Sequence, residues 1–518
     1  MSQTATIAAR PDTAPTFDER PRRRSRPLAS GIALGIVIAL GAGLAVALHR
    51  NGHTQGDDFA LYLRQARSIF DGDMAQVVAD NRFTVLNSGG RFSPYAYPWG
   101  WPLLLSPFVH LWGLDYDRLK LVEVACFCAW LVFVHGIVRR RAGRLLAIGI
   151  TAVLATSPVL LSHTDQLLSE YPHALALAVF VWWFDRVSAR GGMLSAPMRQ
   201  LVVLGVFAAV AFNVRRESIV LLGVFVVMQL VELVQRRQDR AGPVPWRAIG
   251  APYASFVVAV VGFQLLMPTM LFPDNGDGLE YVGARVGDYA GALTVQLGLG
   301  RHPALGTIII LLAVAGMVVG CVRRPRLDVP LATLTVLSAI AVSTHFRMVD
   351  RYYFQIAPWV LYFAAAALIA AISAARNARL RSLAAAIVVV PLFYVVAVHA
   401  VALPDDVGAS QRFNENGRQQ IGPTDPTVSP VFAAVQEHTP PEAVVVFFRA
   451  RTMTLYTDRR TLQVIDVERM LQRADYYAQL RNSDYSQPPL TQDQAIALGM
   501  EEVWSDSKWI LWKLPPPD

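Results

Sequence analysis

Arg22-Arg23-Arg24-Ser25-Arg26, then the apolar run Leu28 to Leu48, then Gly56-Asp57-Asp58: this succession of basic cluster, apolar run and paired acids decides how the chain is read. A bilayer-crossing helix needs roughly 20 apolar residues, and this run supplies them. It has no small-residue cleavage site and is long for the core of a signal peptide, so it reads as a retained first span. Residues 1 to 27, polar and rich in Pro, Thr and Arg, read as a disordered cytoplasmic tail.

The pattern continues outward from that run. Further apolar stretches fall at about 119–138, 145–161, 171–184, 199–214, 218–234, 249–272, 304–322, 329–343, 353–372 and 383–403. The expected fold is therefore mostly α, a polytopic transmembrane helical bundle of about eleven spans over residues 28 to 403. Composition agrees: of 518 residues, 53% are hydrophobic and 17% charged, with a mean hydropathy of +0.36. The net charge of +8 resides in short clusters between apolar runs, which argues for membrane orientation and against nucleic acid. Cys126, Cys128 and Cys321 lie within or at the end of apolar runs, so no disulfide framework is encoded.

Cytoplasmic connections retain Lys and Arg. With the tail inside, alternate connections hold Arg139, Arg140, Arg141 and Arg144; Arg186 and Arg190; Arg236, Arg237 and Arg240; Arg323, Arg324 and Arg326; and Arg376, Arg379 and Arg381. The opposite connections include a first loop over 49–118, the turn His163 to Glu170, an acidic 273–303 loop and the 344–352 turn. An odd number of spans places residues 404–518 outside. There the apolar runs shorten to five or six residues, as expected of a small α/β domain with strands at Ala443–Phe448, Thr461–Ile465 and Trp509–Trp512 and helices near Val431–Glu437 and Val467–Leu480.

Several outer residues break the rules of a membrane scaffold. Asp57-Asp58 precede an amphipathic pattern through Phe59, Tyr62, Leu63 and Ala66. Either acid suits a general base at the edge of a partly dry cavity; the plainer reading is a helix cap beside a solvated acid. Tyr95-Ala96-Tyr97-Pro98-Trp99-Gly100-Trp101-Pro102 reads as an interfacial segment. Asp165 and Glu170 offer a second pair of acids, either of which would meet Asp58 across a cavity. His163 and His173 lack compact ligand spacing and read as hydrogen-bonding groups. Arg215-Arg216-Glu217 and Arg347 to Arg351 place arginines at the outer ends of spans, against the charge bias. They fit a clamp for a lipid-linked phosphate; the plainer reading pairs Arg216 with Glu217, and Arg351 with Asp350.

With those pieces in order, the chain resembles the GT-C superfamily of membrane glycosyltransferases, particularly bacterial relatives of the protein O-mannosyltransferases and of the lipid A aminoarabinose transferase. The resemblance covers about residues 28 to 403. It rests on Gly56-Asp57-Asp58 with Tyr62 and Ala66, on Tyr97-Pro98-Trp99-Gly100-Trp101-Pro102-Leu103-Leu104, on Asp165 or Glu170, on Arg215-Arg216-Glu217, and on Arg351-Tyr352. It implies inverting transfer from a polyprenyl-phosphate sugar to an extracytoplasmic acceptor that is a protein, a lipid or a polysaccharide. Asp58, four residues before Tyr62, would be the base, with Asp57 in support. Arg351 and Arg215 or Arg216 would hold the phosphate, with Tyr62, Tyr97 and Tyr352 lining the substrate. The mannosyltransferases carry Asp-Glu where this chain has Asp57-Asp58, so a divalent cation is left open as a cofactor and no metal ligand is assigned. The alternative function is a lipid-carrier or solute transporter, disfavoured because the charges cluster at span ends.

Overall fold

Proline opens several helices, and glycine ends several others. The structure, a computed structural model, describes residues 27–89, 94–189, 191–239, 243–271, 278–345, 349–373, 378–481 and 486–516. The tail before residue 27, together with Arg190, Arg240, Arg347 and Arg376, lies outside them. Helix α1 (Pro27–Leu48) leads into three helices of the first loop, α2 (Asp58–Asp71), α3 (Met74–Asn87) and α4 (Gly100–Trp112), and then into the long α5 (Tyr116–Ala142). There follow α6 (Arg144–Thr156), α7 (Pro158–His163), α8 (Glu170–Ser188), α9 (Met198–Val214), α10 (Val220–Gln238) and α11 (Trp246–Leu266). Beyond them come α12 (Glu280–Gln296), α13 (Pro303–Arg323), α14 (Pro325–Ser343), α15 (Ala357–Ser373) and α16 (Ala378–Glu415).

Among the described residues, α1, α5, α10 (with its preceding turn), α11, α13, α14 and α16 are the seven helices long and apolar enough to cross a membrane. Helices α6, α9 and α15 are apolar but shorter, and α8 carries Glu170, Asp185 and Arg186 within its 19 residues. The expected run 145–161 is not one helix. Ser157 caps a new one with its hydroxyl on the Leu160 N–H at 3.3 Å, and Pro158, which has no N–H to give, opens it. The break between α9 and α10 falls on Arg215, whose backbone is extended. The acidic 273–303 loop contains α12, whose apolar face, with Ala290, Ala292 and Leu293 buried, is diluted by Gly283, Gly287 and Gly291. Helix α13 lies close against α15 because Gly316 has no Cβ, which would collide with the Phe363 carbonyl.

At one end of the bundle Arg141 is wholly buried. Both its terminal nitrogens reach Asp185, at 2.5 and 2.7 Å, and its Nε is 3.3 Å from Asp328, which also pairs with Arg324 at 3.1 Å. Arg141 and Arg324, expected only to mark sidedness, therefore tie α5, α8 and α14 together. Such a pair stabilises chiefly by never being half broken: removing one partner of a buried ion pair costs about 3 to 5 kcal/mol.

Helix α16 runs on through Pro404 to Glu415 without a break at the expected 403/404 boundary. After it come α17 (Ser429–His438), β1 (Val444–Val446), α18 (Ala450–Thr457), β2 (Arg460–Leu462), α19 (Val467–Arg473), β3 (Tyr476–Leu480), α20 (Gln492–Ala497), β4 (Glu501–Ser505) and β5 (Trp509–Lys513). The sheet order is β2-β1-β3-β5-β4, parallel over the first three strands and antiparallel at β5 and β4. Strand alternation sends Val445, Ala478 and Leu511 to a core shared with α17, and Val446, Tyr477 and Trp512 to the core on the other face. Phe83 of α3 packs against that second core, which joins the first loop to the sheet. The helix expected over Val467–Leu480 ends at Arg473: Ala474 is extended, and Tyr476–Leu480 is a fully buried strand. A strand buried on both faces shows no alternation, so its pattern did not separate it from the helix before it.

Candidate active site

Asp57 occupies the cap position of α2 but does not cap it; its side chain makes no bond to the helix. It accepts instead the Arg451 backbone N–H at 3.0 Å, with Arg449 Nη1 3.8 Å away. Burial pushes its carboxyl up to about 6, against the pull of Arg451 and Arg449. Asp58, the first residue of the helix, points the other way. Its Oδ1 accepts the Tyr97 hydroxyl at 2.6 Å, its Oδ2 lies 3.6 Å from Arg351 Nη2, and its side chain is 43% exposed. Turning along α2 by one residue thus gives one acid held within protein and one presented to open space.

That space is a cavity of about 720 Å3 between the start of α2, the turn before α8, Arg351 and the α/β unit. Its described wall carries the arginines Arg351, Arg449, Arg451 and Arg469 and the acids Asp57, Asp58 and Asp466. Cations outnumber carboxylates, so an anion can enter without meeting net negative charge.

Behind Arg351 is a second layer. Arg351 Nε is 2.9 Å from Glu170 Oε1, and Arg215 Nη1 reaches the same oxygen at 3.1 Å. Glu170 Oε2 is buried and has no hydrogen-bond partner among the described residues. Arg215 also pairs with Glu217 at 2.8 Å, and both guanidinium groups lie over the Tyr352 ring, at 4.9 Å for Arg215 and 5.5 Å for Arg351. The Ser169 hydroxyl links this layer to α2, 3.0 Å from the Tyr62 hydroxyl and 3.3 Å from Arg215 Nη1. Tyr62 and Tyr97 are ring neighbours, with centroids 4.5 Å apart.

The structure brings together Asp57, Asp58, Tyr62, Tyr97, Glu170, Arg215, Arg351 and Tyr352, and separates two others. Asp165 pairs with the buried Lys120 at 2.8 Å and accepts Gln420 Nε2 at 3.0 Å, which ties α5 to the segment after α16. Burial pushes its carboxyl up to about 6 despite Lys120. Arg216 turns to the Phe212 carbonyl at 3.0 Å and to Thr269. The plainer pairings do not form either: Glu217 takes Arg215, and Asp350 takes Arg301 at 2.9 Å. His173 Nε2 lies 2.7 Å from the Ser218 hydroxyl, and His163 meets the Phe354 ring edge-on. Among the described residues no three His, Cys, Asp or Glu side chains gather as metal ligands.

Sequence reasoning did not single out Ser169, Arg449 or Arg451. A signal existed for the arginines: Arg449 and Arg451 follow the carboxyl end of β1, and open α/β sheets bind ligands beyond the carboxyl ends of their parallel strands.

No protein-family profile and no curated protein sequence matches the chain. Solved structures do. ArnT from Cupriavidus metallidurans bound to undecaprenyl phosphate aligns with a TM-score of 0.54 at 12% identity, over 94% of this chain and 98% of that one. The archaeal oligosaccharyltransferase AglB from Archaeoglobus fulgidus, in complex with an inhibitory peptide and a dolichol-phosphate, aligns with a TM-score of 0.50 at 11% identity, over 86% of this chain and 69% of that one. An apo form of the Archaeoglobus enzyme gives 0.51 at 11% identity, over 88% and 70%. The chain shares the fold of ArnT and of the archaeal oligosaccharyltransferase.

Proposed function

We propose that the chain is a membrane glycosyltransferase that moves a sugar from a polyprenyl-phosphate carrier to a hydroxyl or other nucleophile on an extracytoplasmic acceptor. The observation that carries this reading is the placing of Arg351 within reach of the half-exposed Asp58 at the wall of the cavity. Two structures of this fold, ArnT and AglB, hold undecaprenyl phosphate and dolichol-phosphate, which supports a polyprenyl-phosphate donor.

In this reading Arg351 contacts the donor phosphate, and Glu170, itself held by Arg215, fixes the Arg351 fork. A guanidinium donates to two phosphate oxygens at once and steadies the charge that builds on them as the sugar leaves. Asp58 takes the proton from the acceptor. The acceptor oxygen then bonds to the anomeric carbon, the bond from that carbon to the phosphate oxygen breaks, and polyprenyl phosphate departs with the electron pair. Attack from the face opposite the leaving group inverts the anomeric centre. The participating charges sit at helix ends, at the start of α2 and α8, after α9 and just before α15, as suits chemistry at one membrane surface better than a path through the bundle.

The test is release of undecaprenyl phosphate from a panel of undecaprenyl-phosphate monosaccharides by the protein in liposomes, with a cell-envelope extract as acceptor. Acceptor-dependent release from at least one donor is the expected result. Carriage of an intact donor across the bilayer without release would support the transporter instead.

A further inference from the structure

The α/β unit touches the acid pair through one short helix. Thr452 Oγ1 donates to the Gly56 carbonyl at 2.5 Å, and the Arg451 backbone N–H donates to Asp57. The Arg451 side chain passes on into the first loop, 5% exposed. Its Nε meets Asn81 Oδ1 at 3.1 Å, its Nη2 the Pro94 carbonyl at 2.8 Å, and its Nη1 the Tyr97 hydroxyl oxygen at 3.1 Å. That same hydroxyl is 2.6 Å from Asp58 Oδ1.

The direction of this chain of bonds is fixed by chemistry. Guanidinium has donors only, so the Tyr97 oxygen must accept from Arg451, and its single proton is then committed to Asp58. A cation on the phenol oxygen makes the hydroxyl a stronger donor, and a donor on an ionised carboxylate is a short, orienting bond. One oxygen of Asp58 is thereby occupied and its rotamer fixed, and Oδ2 is left facing Arg351 and the cavity.

We propose that Arg451, supplied by the α/β unit, is a positioning residue for Asp58, acting through Tyr97 to aim the free carboxylate oxygen at the acceptor. The α/β unit is then part of the catalytic device: the base is correctly aimed only while α18 is seated on the first loop. This rests on Asp58 being the base, and Asp58→Asn tests that separately.

The experiment measures donor turnover against pH in liposomes, using an undecaprenyl-phosphate monosaccharide that the wild type accepts. The variants are Tyr97→Phe, Arg451→Gln, the double variant, and Thr452→Ala, which loosens the same interface without touching Tyr97. Losing the hydrogen bond to the base in Tyr97→Phe, or its support in Arg451→Gln, should lower kcat by roughly tenfold or more, with donor KM within about twofold. The acid limb of kcat/KM should move to higher pH in both, because Tyr97→Phe removes the donor to the ionised carboxylate and Arg451→Gln removes the cation that strengthens that donor. The double variant should be no worse than the poorer single variant by more than about twofold, and Thr452→Ala should leave the acid limb in place. Multiplying effects in the double variant, or an acid limb that moves for Tyr97→Phe and not for Arg451→Gln, would overturn the relay. If Asp58→Asn is inactive while the two effects multiply, the relay fails and the base stands; if Asp58→Asn is active, the base reading itself fails.

Discussion

Arg351 is shared by two carboxylates from different helices, with its Nε 2.9 Å from Glu170 and its Nη2 3.6 Å from Asp58. The nearer, buried contact fixes the guanidinium, and the longer one to a half-exposed acid is the weaker of the two. An arriving phosphate would displace the Asp58 contact and keep the Glu170 one. In the proposed function, binding of the donor would thus free the carboxylate that the transfer step needs.

Arg351→Ala should therefore weaken donor binding far more than folding. Truncating one partner of a desolvated charge pair costs about 2 to 5 kcal/mol, or roughly 30-fold or more in affinity. Arg351→Lys keeps the charge and loses the fork, and should fall between. Arg215→Ala should act indirectly, lowering the melting temperature along with affinity, because it leaves Glu170 and Glu217 short of their shared cation. Titration of undecaprenyl phosphate into purified variants, beside melting curves, checks this; equal donor affinity in wild type and Arg351→Ala would remove the clamp.

Asp57 gives a pH signature. Its folded carboxyl stands at about 6, above the ordinary 3.8, because burial penalises the charge. The raised value means that the folded state prefers the protonated acid. Its contribution to stability is full below about 3.8 and is lost as pH rises through about 6. Asp57→Asn carries no such titration, so its stability relative to wild type should improve by roughly 2 to 3 kcal/mol between pH 4 and pH 7. Denaturation in detergent across that range reads the difference, and a constant gap between the two proteins would contradict it.

Much of this was legible because a membrane chain makes polar residues conspicuous. Asp58, Glu170 and Arg351 stand out against apolar runs and a charge bias, and the structure seats them within one site. Sidedness does not reveal which face of a turn a residue occupies, which is why Asp165 and Arg216 looked equivalent to Glu170 and Arg215. Arg449 and Arg451 lie in a stretch of soluble character where an arginine is ordinary, and only the fold carries them to Asp57 and Tyr97. The five-residue strand Tyr476–Leu480 was hidden for a related reason: buried on both faces, it has no polar residue every second position to mark it.

Orientation is a prediction of its own. The basic connections predict that the N-terminal tail is cytoplasmic and the α/β unit outside. With Cys126, Cys128 and Cys321 replaced, a cysteine introduced at the exposed Ser505 should react with an impermeant thiol reagent in intact cells, and one at the exposed Arg140 should react only after lysis. The reverse pattern would turn the protein over and place the cavity on the cytoplasmic side.

The most direct test of the account is Asp58→Asn in single-turnover transfer at saturating donor. Asn keeps the shape and can still accept the Tyr97 hydrogen bond, but it cannot take a proton. Transfer should fall by about a hundredfold or more, the usual scale for loss of a general base, with donor affinity and melting temperature close to wild type. Asp57→Asn, whose carboxylate is turned toward Arg451 and Arg449, should cost less. Turnover near wild type in Asp58→Asn would contradict the account, and a collapse confined to Asp57→Asn would move the base to the buried neighbour.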